Sequence, residues 1–168
     1  MTTETVDGKF IQLINENLGI AHKVCNVYFE DREDRGDVFQ EMMYQLWRSY
    51  KSFDGNSKFS TWMYRVCLNT ALTYRRKIKL RETESLSSKH RQIPNQPSEE
   101  KEEEIALLFE AIATLSPLNK AIILSYLEDM SYEEISAITG LSRSNVSVRL
   151  VRIKKELELQ MTKKIKSI

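Results

Sequence analysis

The chain has 168 residues, 41% hydrophobic and 29% charged, with a formal net charge of +1 at pH 7; this allows one or two small domains and excludes a large multi-layer enzyme. Only 5 glycines and 3 prolines are present, so the punctuation of a β-sandwich, a barrel or a phosphate-cradling α/β fold is missing and an all-α protein is expected. There is no run of about 18 apolar residues, Met1 to Gly8 lacks the basic-then-apolar order of a secretion signal, and Cys25 and Cys67 are too few and too far apart for a disulfide framework, so a reducing cytoplasm is the expected home.

Phe10, Ile14, Ala21, Val24, Cys25 and Tyr28 recur at three-to-four spacing and predict a first helix, interrupted or softened around Gly19. The stripe Val38, Phe39, Met42, Met43, Leu46, Trp47 and Tyr50 predicts a second, with Asp37, Glu41, Tyr44 and Arg48 following i, i+4, i+7, i+11 on another face. After the turn signal Phe53-Asp54-Gly55-Asn56, the stripe Phe59, Trp62, Met63, Val66, Thr70 and Tyr74 predicts a third. These helices make one bundle over residues 8–77. From 78 to 102 the periodicity stops, and Ser85, Ser87, Ser88, Pro94, Pro97 and Ser98 sit among charged residues, which is the composition of a flexible linker.

Ile105, Leu108, Phe109, Ile112 and Leu115 begin a second helical unit over 103–162. Ser116-Pro117 offers an N-cap followed by proline at the first helical position, and helix resumes through Ile122, Ile123 and Tyr126. Ser131-Tyr132-Glu133-Glu134 is a capping box, with Ile135 and Ile138 facing inward and Gly140 as a left-handed stop. Ser142 caps a last helix with Val146, Leu150, Ile153 and Leu157 inward. This is a helix-turn-helix pattern. Arg143, Ser144, Asn145, Ser147, Val148, Arg149 and Arg152 occupy the remaining surface, a mixture of donors, acceptors and one methyl-sized apolar group that suits a DNA major groove. A purely structural helical pair is the alternative.

Charge alternates along the chain. Residues 1–50 carry 5 basic and 9 acidic side chains, 51–81 carry 8 and 1, 82–110 carry 3 and 8, and 111–168 carry 9 and 6. Two confined basic blocks suggest two places where phosphate is met, with solvated helix faces as the competing reading.

These residues resemble a bacterial RNA polymerase sigma factor of the extracytoplasmic-function type, over roughly residues 10 to 160. Leu115-Ser116-Pro117 through Met130-Ser131-Tyr132-Glu133-Glu134-Ile135 to Gly140-Leu141-Ser142 is similar to sigma region 4, with Val146, Arg149 and Leu150 in its recognition-helix framework. Glu33-Asp34 through Asp37-Val38-Phe39-Gln40-Glu41 and Leu46-Trp47 resembles region 2.2, and Phe53-Asp54, Phe59, Thr61-Trp62, Arg65, Asn69 and Arg75-Arg76 resemble regions 2.3 and 2.4. Arg35-Gly36 departs from the usual small or aliphatic helix formers, and Ser144-Asn145 from the frequent Gly-Thr pair.

The resemblance implies that Asp34, Asp37, Gln40, Glu41 and Tyr44 meet core RNA polymerase. It implies that Asp54, Asn56, Lys58, Thr61, Arg65, Asn69, Arg75 and Arg76 meet minus-ten DNA, the loop from Asp54 to Lys58 capturing a flipped base. Arg143, Ser144, Asn145, Ser147, Val148, Arg149 and Arg152 would read the minus-thirty-five element. The implied partners are the polymerase β′ clamp helices and β flap, promoter DNA, and an anti-sigma factor as a candidate regulator. No catalytic residue, cofactor or metal is implied.

An all-helical, metal-dependent nucleotide hydrolase needs a second pair of carboxylates one helical turn apart, and residues 42–98 hold only Asp54, Glu82 and Glu84. His22 and Cys25 are two ligands without a second pair, so core packing is expected of them. Trp62 could stack on a base, but its stripe favours the core. A stand-alone helix-turn-helix regulator is the runner-up, and it has no use for the acidic face around Asp37. A helical adaptor is the third class.

Overall fold

The computed structural model describes residues 5–84 and 100–167. Those residues form helices and turns, with no strand among them. The chain divides into two compact units, Met1–Arg91 and Gln92–Ile168.

In the first unit, α1 (Val6–Glu16) is capped by Thr5, whose side chain accepts from the Gly8 amide. α2 (Leu18–Tyr28) follows after a break at Asn17. The expected interruption at Gly19 therefore falls two residues early. The Asn17 amide nitrogen donates to the Leu13 carbonyl at 2.9 Å and its backbone N–H to Ile14 at 3.1 Å, which closes α1 locally. α3 (Arg32–Ser49) starts on Asp31, whose carboxylate accepts from the Glu33 and Asp34 amides, and acids fill its first turn. Gly36 lies inside α3, and Arg35 fastens the α2–α3 corner by donating to the carbonyls of Phe29 and Glu30, each at 2.8 Å.

A 3₁₀ turn, Tyr50–Ser52, leads to the loop before α4 (Phe59–Glu84). The core between α2, α3 and α4 is built from Ala21, Val24, Cys25 and Tyr28, from Val38, Met42 and Leu46, and from Met63, Tyr64, Cys67, Leu68 and Ala71. Two expected stripes need correction. On α3, Phe39 and Met43 are half-buried and Trp47 is 61% exposed. On α4, the buried face runs through Met63, Tyr64, Cys67, Leu68 and Ala71, while Phe59, Trp62 and Val66 lie at its edge. The cause is the same in both: an apolar run wider than the contact arc does not say which residues are central.

Helix also continues past residue 78, where linker was expected, because Lys77 to Glu84 are mostly good helix formers without a breaker. At its other edge, α5 (Glu100–Ala113) begins before residue 103 with acids at its positive end. The remainder of the expected linker, 85–99, lies outside the described residues.

The second unit adds α6 (Pro117–Leu127), α7 (Tyr132–Thr139) and α8 (Arg143–Lys166). Its core joins Ala111, Ile112 and Leu115 to Ile122, Ile123 and Leu124, Ile135, and Val146, Leu150, Ile153 and Leu157. Of the apolar residues expected to open this unit, Ile105 is exposed and Leu108 and Phe109 are half-buried. α6 ends in a Schellman motif: Met130 N–H donates to Ser125, Asp129 N–H donates to Tyr126, and Asp129 itself takes φ 57°. No glycine marks this stop. Thr114 and Glu110 of the α5 segment bond to Gln160 and Lys164, tying α5 to the far end of α8.

Three measurements check this packing. Asp129→Gly removes a side chain from left-handed backbone and should stabilise the unit by about 0.5 to 1 kcal/mol, read as a higher midpoint in denaturant. Burial raises the Cys25 thiol from 9.0 to about 11, against a smaller opposing effect of Arg35. Burial raises the Cys67 thiol to about 12, with Cys25 adding to it. The folded chain thus keeps protons that the unfolded chain releases above pH 9, so the stability contributed by these two thiols should be fully present below that pH and be lost as pH rises toward 12. A thiol-directed reagent at neutral pH should label both cysteines in the denatured chain and neither in the native one.

Candidate nucleic-acid interface

Because Val38, Met42 and Leu46 take the buried side of α3, Asp37, Gln40, Tyr44, Trp47 and Arg48 are left exposed together on an arc of roughly 100°. Glu41 is half-buried and accepts from Gln45 at 2.8 Å; Asp34 is half-buried at the start of the same helix. Tyr74 of α4 reports this acidity: burial raises its hydroxyl, and Asp37, Asp34 and Glu33 push it the same way. The five expected residues therefore share one helix surface. Trp47, which had been placed in the core, joins them. Its angular position, about 20° from Gln40 on a helical wheel, was the available signal.

Phe53, Phe59 and Trp62 pack as a three-ring cluster, with centroids 5.2 to 5.7 Å apart, and Tyr50 touches all three. The following loop is locked by Asp54, which accepts from the Asn56 backbone at 2.9 Å and from its side chain at 2.8 Å, around Gly55 at φ 77°. Between loop and helix lies a concavity of about 370 Å³ lined by Phe53, Asp54, Trp62, Arg65, Val66 and Asn69. The structure thus brings Asp54, Arg65 and Asn69 together. Trp62, half-buried, supplies a wall of the pocket as well as packing its own cluster.

Thr61, Arg65, Asn69 and Arg76 lie along one face of α4, and Lys58 is exposed at its start. Arg75 does not share that face. It points toward α2 and donates to the Tyr28 carbonyl at 3.0 Å, which corrects its expected place in DNA contact. Asn56 is exposed, and its amide donates to Asp54 within the loop. His22 is exposed and stacks on Phe39 at 4.7 Å rather than packing in the core, while the buried Cys25 thiol contacts Met42 sulfur at 3.7 Å. Among the described residues, no group of three or more His, Cys, Asp or Glu is placed to hold a metal ion.

In the second unit the capping box is complete, Ser131 N–H donating to Glu134 at 2.8 Å and Glu134 N–H to Ser131 Oγ at 3.2 Å. Gly140 takes φ 75° and Ser142 caps α8 through the Asn145 amide. Ser136 Oγ donates to the Leu141 carbonyl and closes the turn. With Val146, Leu150, Ile153 and Leu157 inward, Arg143, Ser144, Asn145, Val148 and Arg152 are exposed and Ser147 and Arg149 half-buried. Arg149 spends one guanidinium nitrogen on Asn119 of α6 at 3.2 Å, so it holds the α6–α8 contact as well as facing outward. Arg143 pairs with Glu133 of α7 at 2.9 Å, a partner not foreseen from sequence.

Comparison with known proteins bears on both units. Residues 13–81 match the family model for Sigma-70 region 2, and residues 103–157 that for Sigma-70, region 4. The ECF RNA polymerase sigma-E factor of Escherichia coli strain K12 is 30% identical over 152 residues, covering 82% of this chain and 80% of that protein. The chain belongs to the extracytoplasmic-function sigma factors. The sigma-E factor of Haemophilus influenzae is 31% identical over 143 residues, covering 77% of this sigma factor and 76% of the relative. The sigma factor RpoE of Bartonella quintana, solved in complex with the anti-sigma factor NepR, shares the fold with a TM-score of 0.79, 20% identity, and coverage of 92% and 97% of the two chains.

As a sigma factor the protein directs promoter-specific transcription by RNA polymerase. Region 2 is the part that a stand-alone helix-turn-helix regulator lacks. No described helix is long and apolar enough to cross a membrane.

Arg149 and Arg152 of α8 can be separated by experiment. Arg149→Ala in this sigma factor removes the Asn119 contact and should lower stability by about 1 kcal/mol. Arg152→Ala, exposed, should leave the unfolding midpoint within about 0.5 kcal/mol of the parent.

Proposed function

We propose that this sigma factor divides promoter recognition between its units: α8 reads the minus-thirty-five element, and α4 with the Asp54–Lys58 loop reads and opens the minus-ten element. The observation that carries the reading is the pocket where Phe53 and Trp62 give ring surfaces and Arg65 and Asn69 give donors. A base can stack on the rings, amide and guanidinium can read its edge, and the exposed Arg76 and Lys58 can meet phosphate. In α8, Asn145 and Val148 suit an adenine edge and a thymine methyl, while Arg152 suits the backbone. Melting then follows from binding and needs no covalent chemistry, because contacts to extruded bases offset the few kcal/mol lost in unstacking each one.

The α3 surface of Asp37, Gln40, Glu41, Tyr44 and Trp47, with Asp34 beside it, is the proposed seat for the β′ clamp helices, its acids pairing with basic groups and its two rings supplying apolar area. Region 4 is proposed to meet the β flap, and a protein anti-sigma factor to compete for these surfaces in the cytoplasm; the Bartonella relative was solved with such a partner.

Run-off transcription with added core polymerase tests the whole reading, which expects a transcript only when core, promoter and this chain are all present. Transcript independent of the chain would overturn it. Asp37→Arg with Glu41→Arg should leave a folded protein that core polymerase no longer retains on co-purification, since both positions lie off the buried stripe. Undiminished capture would remove this face from the interface.

A further inference from the structure

Arg143 is the first residue of α8, where the positive end of the helix repels a cation. Its Nη1 reaches Oε1 of Glu133 across the helix-turn-helix at 2.9 Å, yet the two side chains are 69% and 62% exposed. Exposed pairs of this kind add little to stability. The turn is already held by the Ser142 cap, the Ser131–Glu134 box and the Ser136–Leu141 bond. The consequence of the pair is therefore geometric: it fixes where one guanidinium stands at the start of the helix that faces the groove.

We propose that Glu133 is a specificity-determining positioning residue, which holds the Arg143 guanidinium toward base edges and off the phosphate backbone. This rests on the reading that α8 enters the minus-thirty-five groove. The guanidinium carries five donors in a fixed fork. With Nη1 on Glu133, the edge formed by Nε and Nη2 can approach the two acceptors of a guanine. A free arginine at the same place would swing to the nearest phosphate, a contact that adds affinity without sequence information. The Glu133 carboxylate competes with phosphate for the same cation and repels the DNA backbone, so it lowers affinity for wrong sequences more than for right ones.

The test is a minus-thirty-five library bound by the chain in complex with core polymerase, comparing the parent with Glu133→Gln, Arg143→Ala, Arg143→Lys and the Glu133→Gln, Arg143→Ala double variant. Thermal melts verify folding, which these exposed changes should leave intact. Arg143→Ala should lose discrimination at one base pair by roughly fivefold to a hundredfold, the range one forked contact supplies. Arg143→Lys should lose it too, because charge remains but the fork does not. Glu133→Gln should lose part of that discrimination at the same base pair only, with tighter binding to mismatched sites and a salt slope steeper by up to about 1. The double variant should match Arg143→Ala. If Arg143→Ala shifts base preference while Glu133→Gln keeps the parental profile, α8 readout stands and the positioning role is overturned. If Arg143→Ala also keeps the parental profile, base reading by Arg143 fails and the role of Glu133 fails with it.

Discussion

The constraint on which the first unit depends is the allotment of α4, a 26-residue helix, between burial and exposure. Met63, Tyr64, Cys67, Leu68 and Ala71 are withdrawn against α2 and α3, and a 3.6-residue period then leaves no choice about the opposite arc. Arg65, Asn69 and Arg76 must point outward, and Trp62 lies on the same arc, half-buried because Tyr50, Phe53 and Phe59 pack against it. An aromatic covered on one side and free on the other is what forms a pocket wall. The basic character of 51–81 is thus concentrated on one face by the packing of the other. Arg75 shows the rule from the other side: one residue before Arg76, it is rotated toward α2 and finds a carbonyl there.

The second unit repeats the division at smaller scale, with backbone geometry rather than helix length in control. Gly140 at positive φ allows α7 to end and Ser142 to begin α8 within three residues. Across that short connection Glu133, in the first turn of α7, reaches Arg143 at the start of α8. Stability comes from elsewhere, from the buried line Val146, Leu150, Ile153 and Leu157. The exposed start of α8 is consequently available for polar side chains that the fold does not require.

Sequence reading succeeded where the signal was local and chemical. The Ser116-Pro117 start, the Ser131–Glu134 box, the Gly140 stop and the Ser142 cap each involve residues within a few positions, and each stands as expected. It erred where the answer depended on what lies across the interface. The apolar residues 38, 39, 42, 43, 46, 47 and 50 cover more of α3 than its neighbours can bury, so periodicity could not say that Trp47 would be left out. The stop after α6 was invisible because Asp129 takes the left-handed position usually given to glycine. The region 78–84 read as linker because its periodicity stops, although helix propensity alone sustains it. For the candidate site, residue types were readable and side-chain partners were not: Arg75 turns to the Tyr28 carbonyl, Asn56 bonds Asp54 within its loop, and Arg149 gives one nitrogen to Asn119 while still facing outward.

On the proposed reading, those partners bear on how binding alone can favour an opened duplex. Stacking on aromatic side chains returns about 1 to 3 kcal/mol per base, comparable to the few kcal/mol lost when a base leaves the helix. The balance is close, and any ordering required of the protein would count against opening. The Asp54–Asn56 bonds and the three-ring cluster are in place without DNA, so the pocket is already shaped and little entropy remains to be lost there on binding. On the proposed reading, the exposed Asn56 serves the loop itself: by bonding Asp54 it fixes the loop against which Phe53, Trp62, Arg65 and Asn69 can act together.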